Sequence, residues 1–381
     1  MIPLAIPQVG EREARNLQAC VDTNFVSSVG PFVDRFEREV AERHGAVGGV
    51  ATSAGTTALH LGLVALGVEP GDLVICPAFT FIASANAIAH QHASPWLMDV
   101  TDARWTLDPA QLERALAEGT ERRADGAVIH RATGRRVAAV MPVYTLGTPA
   151  DMASIGETAR AHGLPILADA AAAIGIDHDG TPLAGLADLT AFSFNGNKTI
   201  TSGGGGMLVG TDEALLKRAR HLSTTARVSR DYDHDVVGFN YRMTNIQAAV
   251  GCAQMERLDD FLARKREVRG AYAQAFAGIE GVATFPEPEG GASACWFSGI
   301  VLDPERQPSV AEVCDGLRER GVEARPFWKP LHLQAPYAEA PREAMDVTDR
   351  TWSRIVTLPS GTGITDDELE TVIRETRALL R

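Results

Sequence analysis

Two residues of opposite charge stand after predicted strands and could do covalent and acid–base chemistry. Asp169 ends the apolar run 166–168, where a lone carboxylate is costly unless it meets a cation or several hydrogen-bond donors. Lys198 comes twenty-nine residues later, among hydroxyl-bearing and small residues, where its amine is well placed to form an imine. Each residue alone also has an ordinary explanation, because Asp169 could cap the next helix and a lone lysine is more often a surface charge.

A third element is a turn that enters a predicted helix. Gly55-Thr56 offers backbone N–H groups and a hydroxyl at a helix N-terminus, which suits a phosphate, although Ser and Thr at this place are usually simple N-caps. Four glycines at 203–206 would let the backbone approach a bulky planar group closely. Phe81 could supply a flat face for such a group or be an ordinary core residue.

Together these elements match the needs of one cofactor. Pyridoxal 5′-phosphate requires a lysine for covalent attachment and a carboxylate that keeps its pyridine nitrogen protonated. It also requires a site rich in donors for its phosphate and a flat partner for its ring. Lys198, Asp169, the Gly55-Thr56 turn and Phe81 could meet these four needs, so the residues predict this cofactor.

The elements that must position these residues follow an alternating pattern. A helix is predicted over 31–43, and apolar strands at 73–76, 96–100, 137–143 and 165–168 are separated by helices of about ten residues. Such βαβ units give a mostly parallel sheet covered on both faces, with ligands at the carboxyl ends of the strands.

The pattern changes in the last third of the chain. A charged helix from 254 to about 276 leads out of the α/β region, and shorter strands and a final helix follow it. The sequence predicts a large α/β domain over 1–253, whose residues 1–30 form an N-terminal arm, and a smaller α+β domain over 254–381.

One segment interrupts the alternation. Apolar stretches at 127–130 and 137–140 flank a turn at Thr133-Gly134, which predicts a β-hairpin that gathers five arginines together with Arg122 and Arg123. A solvated surface hairpin and a contact with a phosphate or a neighbouring subunit both remain open.

Composition narrows the class of protein. The 381 residues carry 36 Lys+Arg and 49 Asp+Glu, a net charge of −13, and 45% are hydrophobic, which is ordinary for a globular protein and argues against a nucleic-acid partner. No membrane span or signal peptide is recognisable, so we expect a cytoplasmic protein with no membrane partner. The five scattered cysteines form no C-x-x-C pair, and neither a metal site nor a disulfide framework is expected.

The order of motifs resembles that of the DegT-type nucleotide-sugar aminotransferases, which are fold-type I pyridoxal-phosphate enzymes. The resemblance rests on ATSAGTTALHLGLVALGVEPGD, CPAFTFIASANAI, ILADAA, AFSFNGNKTITSGGGGMLV and VVGFNYRMTNIQAAVG and covers nearly the whole chain. NGNK with GGGG, and WKPLH, most resemble the branch that aminates C4 of 4-keto-6-deoxy sugars, including perosamine synthases and enzymes of bacillosamine and legionaminic acid precursors. The resemblance implies amino transfer from L-glutamate to a nucleotide-linked keto-sugar, in polysaccharide biosynthesis.

By position, the resemblance implies a role for each motif residue at the cofactor. Lys198 would hold the cofactor covalently and then carry the proton, Asp169 would pair with the pyridine nitrogen, and Phe81 would stack on the ring. The cofactor phosphate would be bound by Gly55, Thr56 and Ser193.

The resemblance also implies a shared site and a substrate pocket. Asn240 resembles the residue that reaches the phosphate from the partner subunit, which implies a homodimer with two shared sites. Arg325 or Arg242 could hold a glutamate carboxylate, or either could form an ordinary ion pair. The nucleotide-sugar pocket would include Phe25, Ser27, Trp328, Lys329 and His332.

Two departures from the family pattern stand out. Ala172 occupies a position where relatives usually carry Glu, Gln or His near the cofactor's ring oxygen, and the arginine-bearing hairpin is longer than in most relatives. Lys198 is retained, which argues against a sugar dehydratase, since dehydratases of this type carry histidine there. Amination of a keto-cyclitol or of a 3-keto sugar, and a non-catalytic regulatory role, remain open alternatives.

Overall fold

The computed structural model describes residues 1–287 and 293–381. Its helices are α1 (Glu11–Asp22), α2 (Pro31–Arg43), α3 (Gly55–Ala65), α4 (Ala83–His90), α5 (Pro109–Gly119), α6 (Met152–His162), α7 (Glu213–Ser223), α8 (Asn245–Met255), α9 (Leu258–Phe276), α10 (Val310–Glu319), α11 (Asp346–Thr351) and α12 (Asp366–Arg377). Its strands are β1 (Gly48–Thr52), β2 (Leu73–Pro77), β3 (Ser94–Met98), β4 (Thr120–Arg122), β5 (Val128–His130), β6 (Val137–Val140), β7 (Leu167–Asp169), β8 (Asp177–His178), β9 (Thr181–Pro182), β10 (Leu189–Ser193), β11 (Gly206–Gly210), β12 (Val282–Thr284), β13 (Ser298–Leu302), β14 (Arg325–Pro326) and β15 (Ile355–Leu358).

A mostly parallel sheet forms the centre of the molecule. Its two hydrogen-bonded parts have the orders β1-β11-β10-β7 and β6-β2-β3, and parallel bridges at Val140–Ile166 and Val143–Asp169 join β6 to β7. Within this sheet β11 runs antiparallel to both of its neighbours. The predicted α/β class with a mostly parallel sheet is confirmed.

Helices cover both faces of the sheet, as the alternation of apolar segments requires. On one face α2 begins at Pro31 as predicted, and Val33, Phe36 and Val40 are buried against the strands and α8. The other face is covered by α3, α4 and α7. Both layers leave the carboxyl ends of the parallel strands at one edge, where a ligand site is expected.

A second sheet lies in the C-terminal part of the chain. It is antiparallel, with the order β12-β13-β15-β14, and packs with α9, α10 and α12 around its own apolar cluster. The N-terminal residues reach this region, since Ile2 N–H donates to the Gly321 carbonyl at 2.7 Å. The division into domains 1–253 and 254–381 stays a prediction.

The charged helix predicted from 254 to about 276 is two helices. Gln254 lies in α8, and α9 starts only at Leu258. Arg257 has φ −120° and ψ 8°, which breaks the helical geometry between them.

The hairpin predicted between 127–130 and 137–140 is present at its turn only. The Gly134 N–H donates to the His130 carbonyl at 2.8 Å and the His130 N–H donates to the Arg135 carbonyl at 2.9 Å. An antiparallel bridge joins Ile129 to Arg136 just after this turn, and β5 also pairs antiparallel with β4. Beyond the turn the two stretches separate, and β6 continues beside β2 in the central sheet, with Val140 bridged to Ile166.

Several arginines of this segment are bound to the protein itself. Arg136 donates to both carboxylate oxygens of Asp72, at 3.0 and 2.5 Å. Arg135 donates to the carbonyl oxygens of Gly71 and Asp72 at 2.5 and 2.8 Å. These contacts support the structural interpretation of the segment over a phosphate contact.

Within residues 1–287 and 293–381, none of the helices combines the length and the hydrophobicity that a membrane span needs.

The close packing of α2 on α8 leads to a stability prediction. A Cβ at Gly251 would lie 2.6 Å from the Phe36 ring, so we expect Gly251→Ala to lower the free energy of unfolding by about 1–3 kcal/mol through overpacking. Gly270→Ala is the matched control, because it lies inside α9 with nothing within 4 Å of the added Cβ, and it should stabilise by about 0.5–1 kcal/mol. Chemical denaturation measures both, and shifts of the same sign would contradict the packing argument.

Candidate active site

A cavity of about 760 Å³ opens at the carboxyl ends of the central strands. It lies between this edge of the sheet and the C-terminal region, which contributes Trp296 and Trp328 to its wall. Of the residues singled out from the sequence, it is lined by Gly55, Thr56, Phe81, Asp169, Ser193, Arg325, Trp328 and Lys198.

Asp169 is a buried carboxylate held by short-range donors. It ends β7 and is only 4% exposed. Ser84 Oγ donates to its carboxylate at 2.7 Å, and the Ala171 N–H donates to it at 3.1 Å. No helix begins directly after Asp169, so the interpretation of Asp169 as a helix cap does not hold. Burial raises the pKa of the Asp169 carboxyl, while the two hydrogen bonds and the charge of Lys198 oppose that rise. Such a group can keep a protonated ring nitrogen in place.

Lys198 is half-buried rather than a surface charge. It follows β10 in a turn, and its Nζ lies 3.4 Å from the centroid of the Trp296 ring. Burial lowers the pKa of the Lys198 amine to about 7, and the Asp169 charge opposes that fall. A large fraction of this amine is therefore neutral and nucleophilic near neutral pH.

The start of α3 meets the end of β10 at very short range. A Cβ at Gly55 would lie 2.7 Å from Ser193 Cβ, so only glycine allows this approach. The first-turn N–H groups of a helix have no acceptor within the helix. With the hydroxyls of Thr56 and Ser193 they form a cup suited to a phosphate.

Gly204 and Gly205 of the glycine run line the cavity, and Gly206 has a further role. A Cβ at Gly206 would lie 2.5 Å from the Ala54 carbonyl oxygen and 2.8 Å from Gly55 Cα. The small residue at 206 therefore lets β11 pack against the start of α3, and the protein's own backbone makes the close approach.

Aromatic rings form one wall of the cavity. Phe81 is 52% exposed, which excludes an ordinary core role, and its ring centroid lies 5.6 Å from that of Trp328. Trp296 and Phe327 contact the Trp328 ring at 5.7 and 4.6 Å. Sequence reasoning missed Trp296, because a residue ninety-eight positions after Lys198 has no spacing signal that connects it to the site.

Two further polar residues near Asp169 were also missed. The hydroxyls of Thr80 and Ser84 are 3.0 Å apart, and Ser84 continues this chain to the carboxylate. The only available signal was their i,i+4 spacing after a predicted strand. Ala172 also lines the cavity, and it belongs to an apolar cluster with Phe79 and Trp105.

Asn240 lies outside this cavity. It lines a second cavity of about 430 Å³, whose wall carries hydroxyls and cationic side chains. Its other lining residues are Ser28, Thr224, Thr225, Arg227, Tyr232, His234 and Arg242.

Phe25 and Ser27 line neither cavity. Both are exposed on the segment before α2, where Asn245 anchors them: its side-chain amide donates to the Phe25 carbonyl at 2.8 Å and its backbone N–H to the Ser27 carbonyl at 2.6 Å.

The WKPLH segment is divided by the fold. Trp328 faces the cavity, whereas Lys329 is exposed and lines neither cavity. His332 is buried, with its Nε2 2.8 Å from Asp349 Oδ1. Arg325 lines the cavity and donates to the Glu323 carboxylate at 3.0 and 2.5 Å.

Comparison with known proteins gives consistent matches over the whole chain. The profile of the DegT/DnrJ/EryC1/StrS aminotransferase family matches residues 7–377. The chain is 37% identical over 377 residues to EpsN of Bacillus subtilis (strain 168), whose name assigns it to the pyridoxal phosphate-dependent aminotransferases, with 98% of this chain and 94% of EpsN covered. It is 37% identical over 374 residues to a GDP-perosamine synthase of Caulobacter vibrioides, with 98% and 96% covered.

A solved structure shares the fold. DesI, determined in the presence of its TDP-sugar product, superposes with a TM-score of 0.87 at 27% identity, covering 99% of this chain and 93% of that chain. The predicted fold-type I class is confirmed by this likeness.

The phosphate cup leads to a binding prediction. In Gly55→Ala the new Cβ must push α3 away from Ser193, so we expect at least tenfold weaker binding of pyridoxal phosphate, measured by titration of cofactor-free protein. Gly185→Ala, with nothing within 4 Å of its added Cβ, should bind the cofactor as the unmodified protein does. Equal affinities of the two variants for pyridoxal phosphate would contradict a phosphate site at the Gly55 turn.

Proposed function

We propose that this chain, which belongs to the DegT/DnrJ/EryC1/StrS aminotransferase family, transfers an amino group from L-glutamate to the C4 keto carbon of a nucleotide-linked 4-keto-6-deoxysugar, using pyridoxal phosphate. The observation that carries the proposal is that Lys198, Asp169 and the Gly55 turn line one cavity. These are the three kinds of group that the cofactor requires at one place.

The cavity passes a test of fit for this cofactor. Its phosphate would occupy the cup at Gly55, Thr56 and Ser193, where an added Cβ would clash. The Asp169 carboxylate would face its ring nitrogen, and exposed Phe81 would cover the ring. When bound, the cofactor supplies an electron sink for the negative charge that develops as a proton leaves the substrate carbon.

Lys198 has two roles in this proposal. Its amine holds the cofactor, and once released its Nζ takes the proton from the α-carbon of the amino donor and delivers a proton to the sugar carbon. A pKa of about 7 suits both directions of transfer, because an acid–base catalyst works best when its pKa lies near the working pH.

Asp169 has to be anionic for the same reaction. Hydrogen bonds from Ser84 and Ala171 stabilise its charge against burial. A carboxylate that remains charged keeps the neighbouring ring nitrogen protonated and therefore keeps the ring able to accept electrons.

The substrate class is supported by the wall of the cavity and by the relatives. The rings of Phe81, Trp296 and Trp328 offer flat apolar faces, and Arg325 offers a cation that could hold the donor's carboxylate. The names of the perosamine synthase and of the DesI complex point to nucleotide sugars as substrates. Lys329 and His332 remain predictions for this pocket.

A homodimer with two shared sites is part of the proposal. Asn240 lies in a second, donor-rich cavity of its own chain, and the side chains of Val228, Tyr232 and Val237 nearby in sequence are 56–86% exposed. Exposed apolar residues around a polar site favour a covered surface, which a second copy would supply. Phe25 and Ser27, beside the Ser28 of this cavity, would then approach the sugar of the other copy.

A cytoplasmic setting, as part of polysaccharide biosynthesis, suits the chain. All five cysteines are free and buried, which accords with a reducing compartment.

The function is tested with purified protein, glutamate, and separate 4-keto and 3-keto nucleotide sugars, with NMR of each product. We expect amination at C4, and Lys198→Ala should abolish it, because Lys217, Lys265 and Lys329 do not line the cavity. Lys217→Ala is the matched control, since Lys217 is an exposed lysine of α7, and it should keep full activity. Turnover by Lys198→Ala, or no amination of any 4-keto sugar, would refute the proposal.

The shared site is tested by co-expressing Lys198→Ala with Asn240→Ala. If Asn240 acts on the other copy, each mixed dimer has one intact site, so the mixture should recover about one quarter of the unmodified activity. If Asn240 served its own chain, mixing would restore nothing. Size-exclusion chromatography with light scattering establishes that dimers are present.

A further inference from the structure

Trp296 has all of its polar groups engaged. Its backbone N–H donates to the Leu146 carbonyl at 3.0 Å, and its indole N–H donates to the Asn197 carbonyl at 2.6 Å. Its own carbonyl accepts from Lys265 Nζ at 2.8 Å. The side chain is buried, with 4% exposure of the residue, so the indole has one defined orientation.

The backbone on both sides of this contact is strained. Leu146 and Cys295 have φ values of 58° and 49°, in the left-handed region that non-glycine residues seldom occupy. Such conformations persist where surrounding contacts determine them, and they cluster at functional sites. Here the Ala294 and Trp296 N–H groups bond to the carbonyls of Gly147 and Leu146, which fixes both strained turns together.

A buried lysine secures Trp296 from the C-terminal region. Lys265 on α9 is 2% exposed and donates to the carbonyls of Trp296 and Ser360 at 2.8 and 2.7 Å. Arg269, one turn later, donates to the Phe297 carbonyl at 2.7 Å. Burying a lysine amine is costly unless it is hydrogen-bonded, and the two carbonyls meet that need, so Lys265 ties this stretch of backbone to α9.

Phe297 and Trp328 contact the Trp296 ring, with centroids 4.3 and 5.7 Å away, and Lys198 lies over a face of the same ring. The Nζ of Lys198 is 3.4 Å from the ring centroid, where the negative face of an indole attracts a cation. The other charges that act here are Asp169 on β7, which attracts the ammonium, and Lys265 on α9, which repels it.

We propose that Trp296 is a positioning residue whose indole face holds the amine of Lys198 whenever that lysine is not bonded to the cofactor. This rests on the proposed function, in which Lys198 is released while the amino donor reacts and must return afterwards. A free lysine side chain has four rotatable bonds, and the ring keeps its Nζ within the cavity beside Asp169. The same contact favours the protonated form, which is the form that delivers a proton.

The contact is tested in cofactor-free protein by the pH dependence of acetylation of Lys198. Only the neutral amine reacts, and peptide mapping separates all four lysines of the chain. The pKa of Lys198 obtained from this acetylation is called its labelling pKa. Trp296→Leu should lower it by about half to one unit, because the ammonium form loses its attraction to the indole face. Trp296→Phe, which keeps an aromatic face, should restore most of that shift, and Lys217 is the internal reference.

Two further variants keep the result interpretable. Trp105→Leu makes the same change at another tryptophan of the apolar cluster that contains Trp296. The ring near Lys198 Nζ is that of Trp296, so Trp105→Leu should leave the labelling pKa of Lys198 unchanged. Trp296→Met is a second non-aromatic variant in case Trp296→Leu fails to fold, as judged by thermal unfolding.

The kinetic expectation separates positioning from substrate binding. In the loaded enzyme Trp296→Leu should lower kcat at least tenfold with little change in the KM for glutamate. An unchanged or raised labelling pKa in both non-aromatic variants, or equal values for Phe and Leu, would overturn the role of Trp296. If the proposed function is wrong, the result is different. The unmodified protein then aminates no keto-sugar, while the pKa of Lys198 obtained from acetylation still changes in the variants as expected.

Discussion

A buried carboxylate and the amine of a half-buried lysine at one edge of a sheet are the constraint around which this structure is built. Burial raises the pKa of Asp169 and lowers that of Lys198, and the charge of each opposes the effect on the other. The register of the sheet places them together, since Asp169 of β7 pairs with Ala191 of β10, seven residues before the lysine. Ser84 and Ala171 add the hydrogen bonds that an ionised carboxylate needs in such a place.

Close backbone packing forms the other end of the cavity. Gly55 and Gly206 allow α3, β10 and β11 to meet at distances that no side chain would permit. The N-terminus of α3 is thereby fixed against Ser193, and the position of the phosphate cup relative to the lysine follows from the sheet itself. A cup on a mobile loop would not hold that distance.

The C-terminal region completes the cavity and does not merely pack against it. Lys265 and Arg269 on α9 fix the backbone at 296 and 297, and Trp296 then reaches across to Asn197 and Lys198. Any change in the position of this region relative to the central sheet would therefore move Trp296 relative to the reactive amine of Lys198.

Much of the fold and part of the candidate site could be predicted from the sequence, because these features depend on local patterns. The bounds of α2, the alternation of strands and helices, and the placement of Asp169 and Gly55 follow from apolar periodicity and from the rule that ligands sit at strand carboxyl ends. Tertiary structure alone decided the rest. Examples are the pairing of β5 with β4 and of β6 with β2. Trp296 is likewise held against Lys198 by two strained turns and by a buried lysine from another part of the chain. Contacts between residues so far apart in sequence leave no periodicity or spacing, since they are set by how separate elements pack.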